Sequence, residues 1–122
     1  PLGAICMNEL QKNTKDNISD FLSTISSKDS QLNYKKSVPF VHIPNELACQ
    51  WDDFFSPDYK WFTEIWTKSE FKLLTNFDSE FNEIIDSMEN LEDVPEIFHN
   101  DNWKKVMNLA SDLIQQLGLK KD

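Results

Sequence analysis

Apolar residues fall at helical intervals along most of this chain, and the stripes they draw predict a series of separate helices. Ile18, Phe21, Leu22 and Ile25 stand at i, i+3, i+4 and i+7, one helix face, with Asp16 or Asn17 placed to cap it. Residues 26–36 then turn polar (Ser, Lys, Asp, Gln, Asn) and read as a mobile loop. Pro39 and Pro44 frame Phe40-Val41-His42-Ile43, an extended segment expected to lie irregularly against the core.

Asn45 is placed to cap a second stripe through Leu47, Trp51, Phe54 and Phe55. In Ser56-Pro57-Asp58 an N-cap serine precedes proline at the first helical position and an acid in the first turn. A short helix of Tyr59, Trp61, Phe62 and Trp66 is expected to follow. Thr67-Lys68-Ser69-Glu70 matches the capping box, in which the end residues satisfy each other's orphan amides. The longest helix is expected to begin there, with Phe71, Leu74, Phe77, Phe81, Ile84, Ile85 and Met88 as its stripe. Glu92-Asp93-Val94-Pro95 interrupts it, and Glu96 to His99 leaves room for one turn. Asp101 or Asn102 then caps a last helix carrying Trp103, Val106, Met107, Ala110, Leu113, Ile114 and Leu117, with Gly118 as its C′ residue. Two glycines and almost no alternating β-branched runs leave little material for strands. The expected fold class is all-α: a compact single-domain bundle of five to six helices. Pro1-Leu2-Gly3 has the look of a cleaved expression tag, so residues 1–6 are read as a tag or disordered N-terminus and 7–122 as the helical domain.

Charge changes this picture most. The net charge is −9, and residues 46–103 alone carry −12 against +1 before them and +2 after. Between Asp78 and Glu96 lie eight carboxylates (Asp78, Glu80, Glu83, Asp86, Glu89, Glu92, Asp93 and Glu96) and no basic residue. On the helix, Glu80, Glu83 and Asp86 project away from the apolar stripe as an oblique row. Most charge runs are merely solvated helix faces. An ordinary exposed helix, however, mixes signs to gain i,i+4 pairs, whereas this one accumulates repulsion of similar size. Such a surface would steer a cationic protein and repel nucleic acid and anionic membranes. All twelve basic residues are lysine, so the guanidinium fork usual in phosphate recognition is missing.

Ten of the fifteen aromatics fall between Trp51 and Phe81, and around Asp52, Asp53 and Asp58 they interleave with acids. Most aromatics at helical spacing are core. One short helix cannot hide Tyr59, Trp61 and Trp66 on a single face, so some of these rings are expected to contact a partner, as hot-spot aromatics beside a polar rim do. Trp51 and Phe71 are read as core.

Chemistry for catalysis is thin. Neither Walker, Gly-x-Ser-x-Gly nor His-Glu-x-x-His spacing occurs, and the EF-hand pattern with its glycine turn is missing. Cys49 sits beside Leu47 and Trp51, a context in which a buried structural thiol is common. With only Cys6 and Cys49 there is no disulfide framework, and reduced thiols in a cytosolic protein are the simplest reading; a single bridge in a secreted protein is the other. A hydrolase using Asp52, Asp53 or Asp58 is a remote alternative.

A short, acidic, helical chain rich in Trp and Phe resembles the immunity proteins that accompany bacterial polymorphic toxins, including contact-dependent growth-inhibition systems. The likeness lies in residues 46–89, in the Trp-Asp-Asp-Phe-Phe, Ser-Pro-Asp-Tyr-Lys-Trp-Phe and Leu-Thr-Asn-Phe-Asp-Ser-Glu-Phe stretches. It is a likeness of type over about a third of the chain. The resemblance implies a tight one-to-one complex with a basic toxin domain, often a nuclease. The cysteines and the missing motifs lead to the expectation of a cytoplasmic, non-enzymatic protein without cofactor or metal, monomeric in that complex. From the residues, the expected contact set is Asp52, Asp53, Asp58, Tyr59, Trp61, Trp66, Glu80, Glu83 and Asp86. A different class is a helical adaptor domain that takes a partner helix into an aromatic groove.

Overall fold

The computed structural model describes the backbone of residues 2–119 and the side chains of residues 9–119. The tag reading of Pro1-Leu2-Gly3 and the state of the Cys6 thiol lie outside the described side chains. Among the described residues six α-helices and one 3₁₀ turn follow in order: α1 (Leu2–Ile25), α2 (Lys28–Ser37), α3 (Ile43–Phe54), α4 (Lys60–Thr63), α5 (Lys68–Ser87), the 3₁₀ turn (Glu96–His99) and α6 (Asp101–Leu117). The described residues contain no strand, so the fold is the all-α single domain expected.

α1 is the hub. Its stripe of Ile18, Phe21, Leu22 and Ile25 is wholly buried, and the helix packs on α2, α3, α4 and α6. A chain of ring contacts runs from there across α3 and α5. Phe21 meets Trp51 at 5.3 Å between centroids, Trp51 meets Phe77 edge-on at 4.9 Å, and Phe77 stacks on Phe81 at 5.5 Å. Trp51 also stacks on Phe55 at 5.1 Å, which extends the cluster towards Phe62 and Phe71. Each such pair adds about 0.5–1.5 kcal/mol beyond the area it buries. Trp51 is core as read, and Phe71 packs partly buried against it.

α6 buries six residues, Trp103 through Ile114, against α1 and α5. It ends on Gly118 at φ 67°, the left-handed conformation that only glycine adopts freely. The capping box at the start of α5 is present, with Thr67 N–H to Glu70 Oε1 at 2.8 Å and Glu70 N–H to Thr67 Oγ1 at 3.1 Å.

Several local expectations need correction. α1 runs through Asp16 and Asn17, so neither caps a helix, and at 24 residues it exceeds the 20 of α5. Residues 26–36 are largely helix rather than loop. Ser27 caps α2 by accepting from Ser30 N–H at 3.1 Å, Asp29 stands in its first turn, and Lys35 and Lys36 stand in its last. Each of these charges suits the helix dipole. The apolar pattern misses α2 because a fully buried glutamine fills its core position. Gln31 donates through Nε2 to Ile25 O at 3.0 Å and accepts through Oε1 from Trp103 Nε1 at 3.2 Å.

Residues 38–42 form a turn rather than an extended stretch, with Phe40 pointing to solvent, 88% exposed. Val41 packs partly buried against the core, and Ile43, the first residue of α3, is fully buried as expected. His42 rather than Asn45 caps α3, and Asn100 rather than Asp101 or Asn102 caps α6. Ser56-Pro57-Asp58 makes a β-turn closed by Tyr59 N–H to Ser56 O at 3.2 Å, and α4 is only one turn long.

Candidate protein-binding surface

Folding divides the acidic run into two kinds of carboxylate. Asp78 and Asp93 are committed inside the structure. Asp78 Oδ1 accepts from the indole N–H of buried Trp51 at 2.8 Å and from Asn82 at 3.0 Å. Asp93 joins α2, α3 and its own loop: Oδ2 meets Lys35 Nζ at 2.6 Å, while Oδ1 accepts from Ile43 N–H at 3.0 Å and Val94 N–H at 2.8 Å. Lys35 Nζ donates onward to Val41 O at 2.7 Å. Partial burial pushes the Asp93 carboxyl up, but the Lys35 ammonium and the two backbone donors together more than offset it. The group is held below the ordinary carboxylate range.

The other six, Glu80, Glu83, Asp86, Glu89, Glu92 and Glu96, are exposed. Among the described residues none of the six forms an ion pair or a side-chain hydrogen bond; the ion pairs there are Lys35–Asp93, Lys60–Glu64 and Lys104–Asp101. The row of Glu80, Glu83 and Asp86 therefore stands on the solvent side of α5, above buried Phe77, Phe81 and Ile84.

α6 modifies this row. Glu80, Glu83, Ile84 and Ser87 of α5 line a depression of about 320 Å³ with Asn102 and Lys105 of α6. A second depression, about 200 Å³, is lined by Leu73, Asn76, Phe77 and again Glu80 on one side, and by Leu109, Asp112, Leu113 and Gln116 on the other. The early part of α5 thus faces the late part of α6, and the two helices are antiparallel. Glu80 belongs to both depressions and joins them into one trough. Lys105 places a cation near carboxylates that have no basic neighbour in sequence. Lys104, beside it, lies 3.7 Å from Asp101 instead.

The aromatic segment lies apart from this trough, since none of Asp52, Asp53, Asp58, Tyr59, Trp61 or Trp66 lines either depression. Asp52, Asp53 and Asp58 are exposed, and Tyr59 is 60% exposed with its ring 5.9 Å from partly buried Trp61. Gln11 of α1 holds the Trp61 carbonyl at 3.1 Å. Trp66 departs from the expected surface set. It is only 7% exposed, its ring packs against Phe62 at 6.0 Å, and Lys15 Nζ lies 5.1 Å from its centroid. Phe62, fully buried, takes the neighbouring core position, and the loop after α4 turns Trp66 inward.

Two further residues are placed against expectation or outside it. Cys49 is exposed and free, not buried in the core. His42 serves the structure from both ring nitrogens. Nδ1 accepts from Asn45 N–H at 3.2 Å at the start of α3, and Nε2 lies 2.8 Å from Leu91 O, which takes the N–H of that tautomer. Sequence reasoning missed Asp112, Asn102, Leu73 and Leu109 as parts of a shared surface. The signal available was their spacing: Asn102, Lys105, Leu109 and Asp112 recur at three and four residues along one side of α6. Among the described residues no helix is long and apolar enough to cross a membrane, and no three His, Cys, Asp or Glu side chains group as a metal site. No family model matches the chain, and no curated protein or solved structure is significantly similar to it.

Proposed function

We propose that this chain is an acidic protein-binding module, an immunity protein that neutralises a cognate basic toxin domain by covering its active-site surface. The observation that carries the reading is the set of exposed carboxylates on α5 that no ion pair among the described residues uses, in a helix otherwise well capped and well packed. In such a complex Glu80, Glu83 and Asp86 stand in for the phosphates or acidic groups that the partner's lysines and arginines would bind. Charge of this kind raises the association rate and makes it salt-dependent. Tyr59 and Trp61, with Asp58 beside them, are the aromatic anchors available to slow release. Trp66 is withdrawn from that role.

The experiment is to identify the protein that co-purifies with the chain from its native host and to measure its association with wild type and with E80K/E83K/D86K. Slower association and loss of the steep salt dependence are expected in the variant. Unchanged binding contradicts the proposal. The adaptor reading rests on the exposed Tyr59 beside Trp61. It expects an amphipathic peptide to bind with little salt effect and to be lost on Trp61→Ala.

A further inference from the structure

The α5–α6 trough has a shape that a row of charges does not explain. Both helices contribute residues along one face over equal lengths, Leu73 to Ser87 on one and Asn102 to Gln116 on the other. Each stretch spans fourteen steps, about 21 Å at 1.5 Å per residue. The floor is apolar in the second depression, where Leu73 and Leu109 are partly exposed over buried Phe77 and Leu113, whereas the first is lined mainly by polar side chains with Ile84 buried among them. The rims are polar, and their ionised groups are Glu80 and Glu83 on α5 with Asp112 and Lys105 on α6. Asp86 lines neither depression.

From this geometry we infer that the trough seats one helix of the partner protein, whose apolar stripe, flanked by lysine or arginine, docks at the Leu73–Leu109 end between Glu80 and Asp112. The inference rests on the protein-binding reading above and deepens it by naming the element that docks. A helix fits because antiparallel neighbours leave a groove that a third helix fills with its own ridge of side chains. Apolar residues at i, i+3/i+4 and i+7 of the occupant would cover Leu73 and Leu109. Cations flanking that stripe would meet Glu80 on one rim and Asp112 on the other. A second copy of this chain is a poorer occupant, because its α5 would bring Glu80, Glu83 and Asp86 against the same acidic rims. Of the oblique α5 row the trough keeps Glu80 and Glu83 and leaves out Asp86, and it adds Asp112 from the other helix.

The test uses the whole chain and three synthetic fluorescent peptides of about sixteen residues. One carries a leucine stripe with lysine flanks, one has the same composition scrambled to remove the stripe, and one has glutamate flanks. Binding is read by anisotropy, and the contact surface by amide chemical-shift changes. The striped lysine peptide should bind at least about tenfold more tightly than the scramble. Glu80→Lys and Asp112→Lys should each weaken it about fivefold or more, whereas Asp86→Lys should leave it unchanged. Leu109→Asp should abolish binding, with Leu73→Asp as the independent floor variant if thermal melts show the first unfolded. Equal binding of striped and scrambled lysine peptides overturns the helix inference while the acidic-surface reading stands. Equal losses from Asp86→Lys and Asp112→Lys overturn it in favour of the α5 row. Absence of binding by any lysine peptide overturns it outright, and self-association abolished by Leu109→Asp assigns the trough to a second copy. Failure of the wider reading is a separate result, scored by the folded partner against E80K/E83K/D86K.

Discussion

Asp93 and Glu83 belong to one acidic run, ten residues apart, and the fold uses them in opposite ways. Asp93 has both its oxygens engaged, by Lys35, Ile43 and Val94, and its removal would undo a junction of three segments. Glu83 stands on a helix whose packing depends on the opposite face, and no group within the described residues is held by it. A charge count cannot tell the two apart. Their difference teaches that density of charge is a functional signal only after the carboxylates with internal partners are set aside. Six of the eight remain here, and two of those on α5, Glu80 and Glu83, share a trough with another helix.

That contrast can be broken, beginning with the largest expected effect. Asp93→Ala leaves the Lys35 ammonium half-buried without its counter-ion and two backbone N–H groups without their acceptor. A loss of about 2–3 kcal/mol is expected, read as a lower urea midpoint, with partner binding intact wherever the variant is folded. Gln31→Ala leaves the Trp103 indole N–H and the Ile25 carbonyl without partners in the core, for about 1–3 kcal/mol by the same measurement. A smaller effect lies in acid. The folded Asp93 pKa is depressed, so its contribution is fully present above the ordinary unfolded value and is lost as pH falls through the folded one. Wild type and Asp93→Asn should therefore converge in stability on acidification, and a gap that widened instead would contradict the assigned role. The smallest effect belongs to the free carboxylates. Glu83→Gln should change stability by no more than about 0.5 kcal/mol, with a slight gain if relief of repulsion outweighs solvation.

Helix α5 is legible in sequence from its capping box to its stripe because each signal there agrees with the next: cap, period, apolar face. The last helix is legible from its period, its apolar face and Gly118, although its cap is Asn100, one residue before the expected candidates. α2 is hidden because its inward residue is Gln31, whose burial depends on Trp103, seventy-two residues away. Short-range pattern cannot anticipate a hydrogen bond of that range. Trp66 escapes the pattern for a related reason, since α4 ends after one turn and the following loop sets the direction of the ring. Of the candidate surface, the exposure of Glu80, Glu83 and Asp86 follows from the α5 period. The partnership of Glu80 with Asp112 does not, because it requires the antiparallel register of α5 and α6, which only tertiary packing provides.

The central claim is that the carboxylates α5 leaves free receive a basic protein. Its most direct test is the stopped-flow association of the co-purifying partner with wild type and with E80K/E83K/D86K, at low and at physiological salt. The account predicts fast association that slows steeply with salt for wild type, and slow, nearly salt-independent association for the reversed protein. Equal rates for the two proteins at both salt concentrations would contradict it.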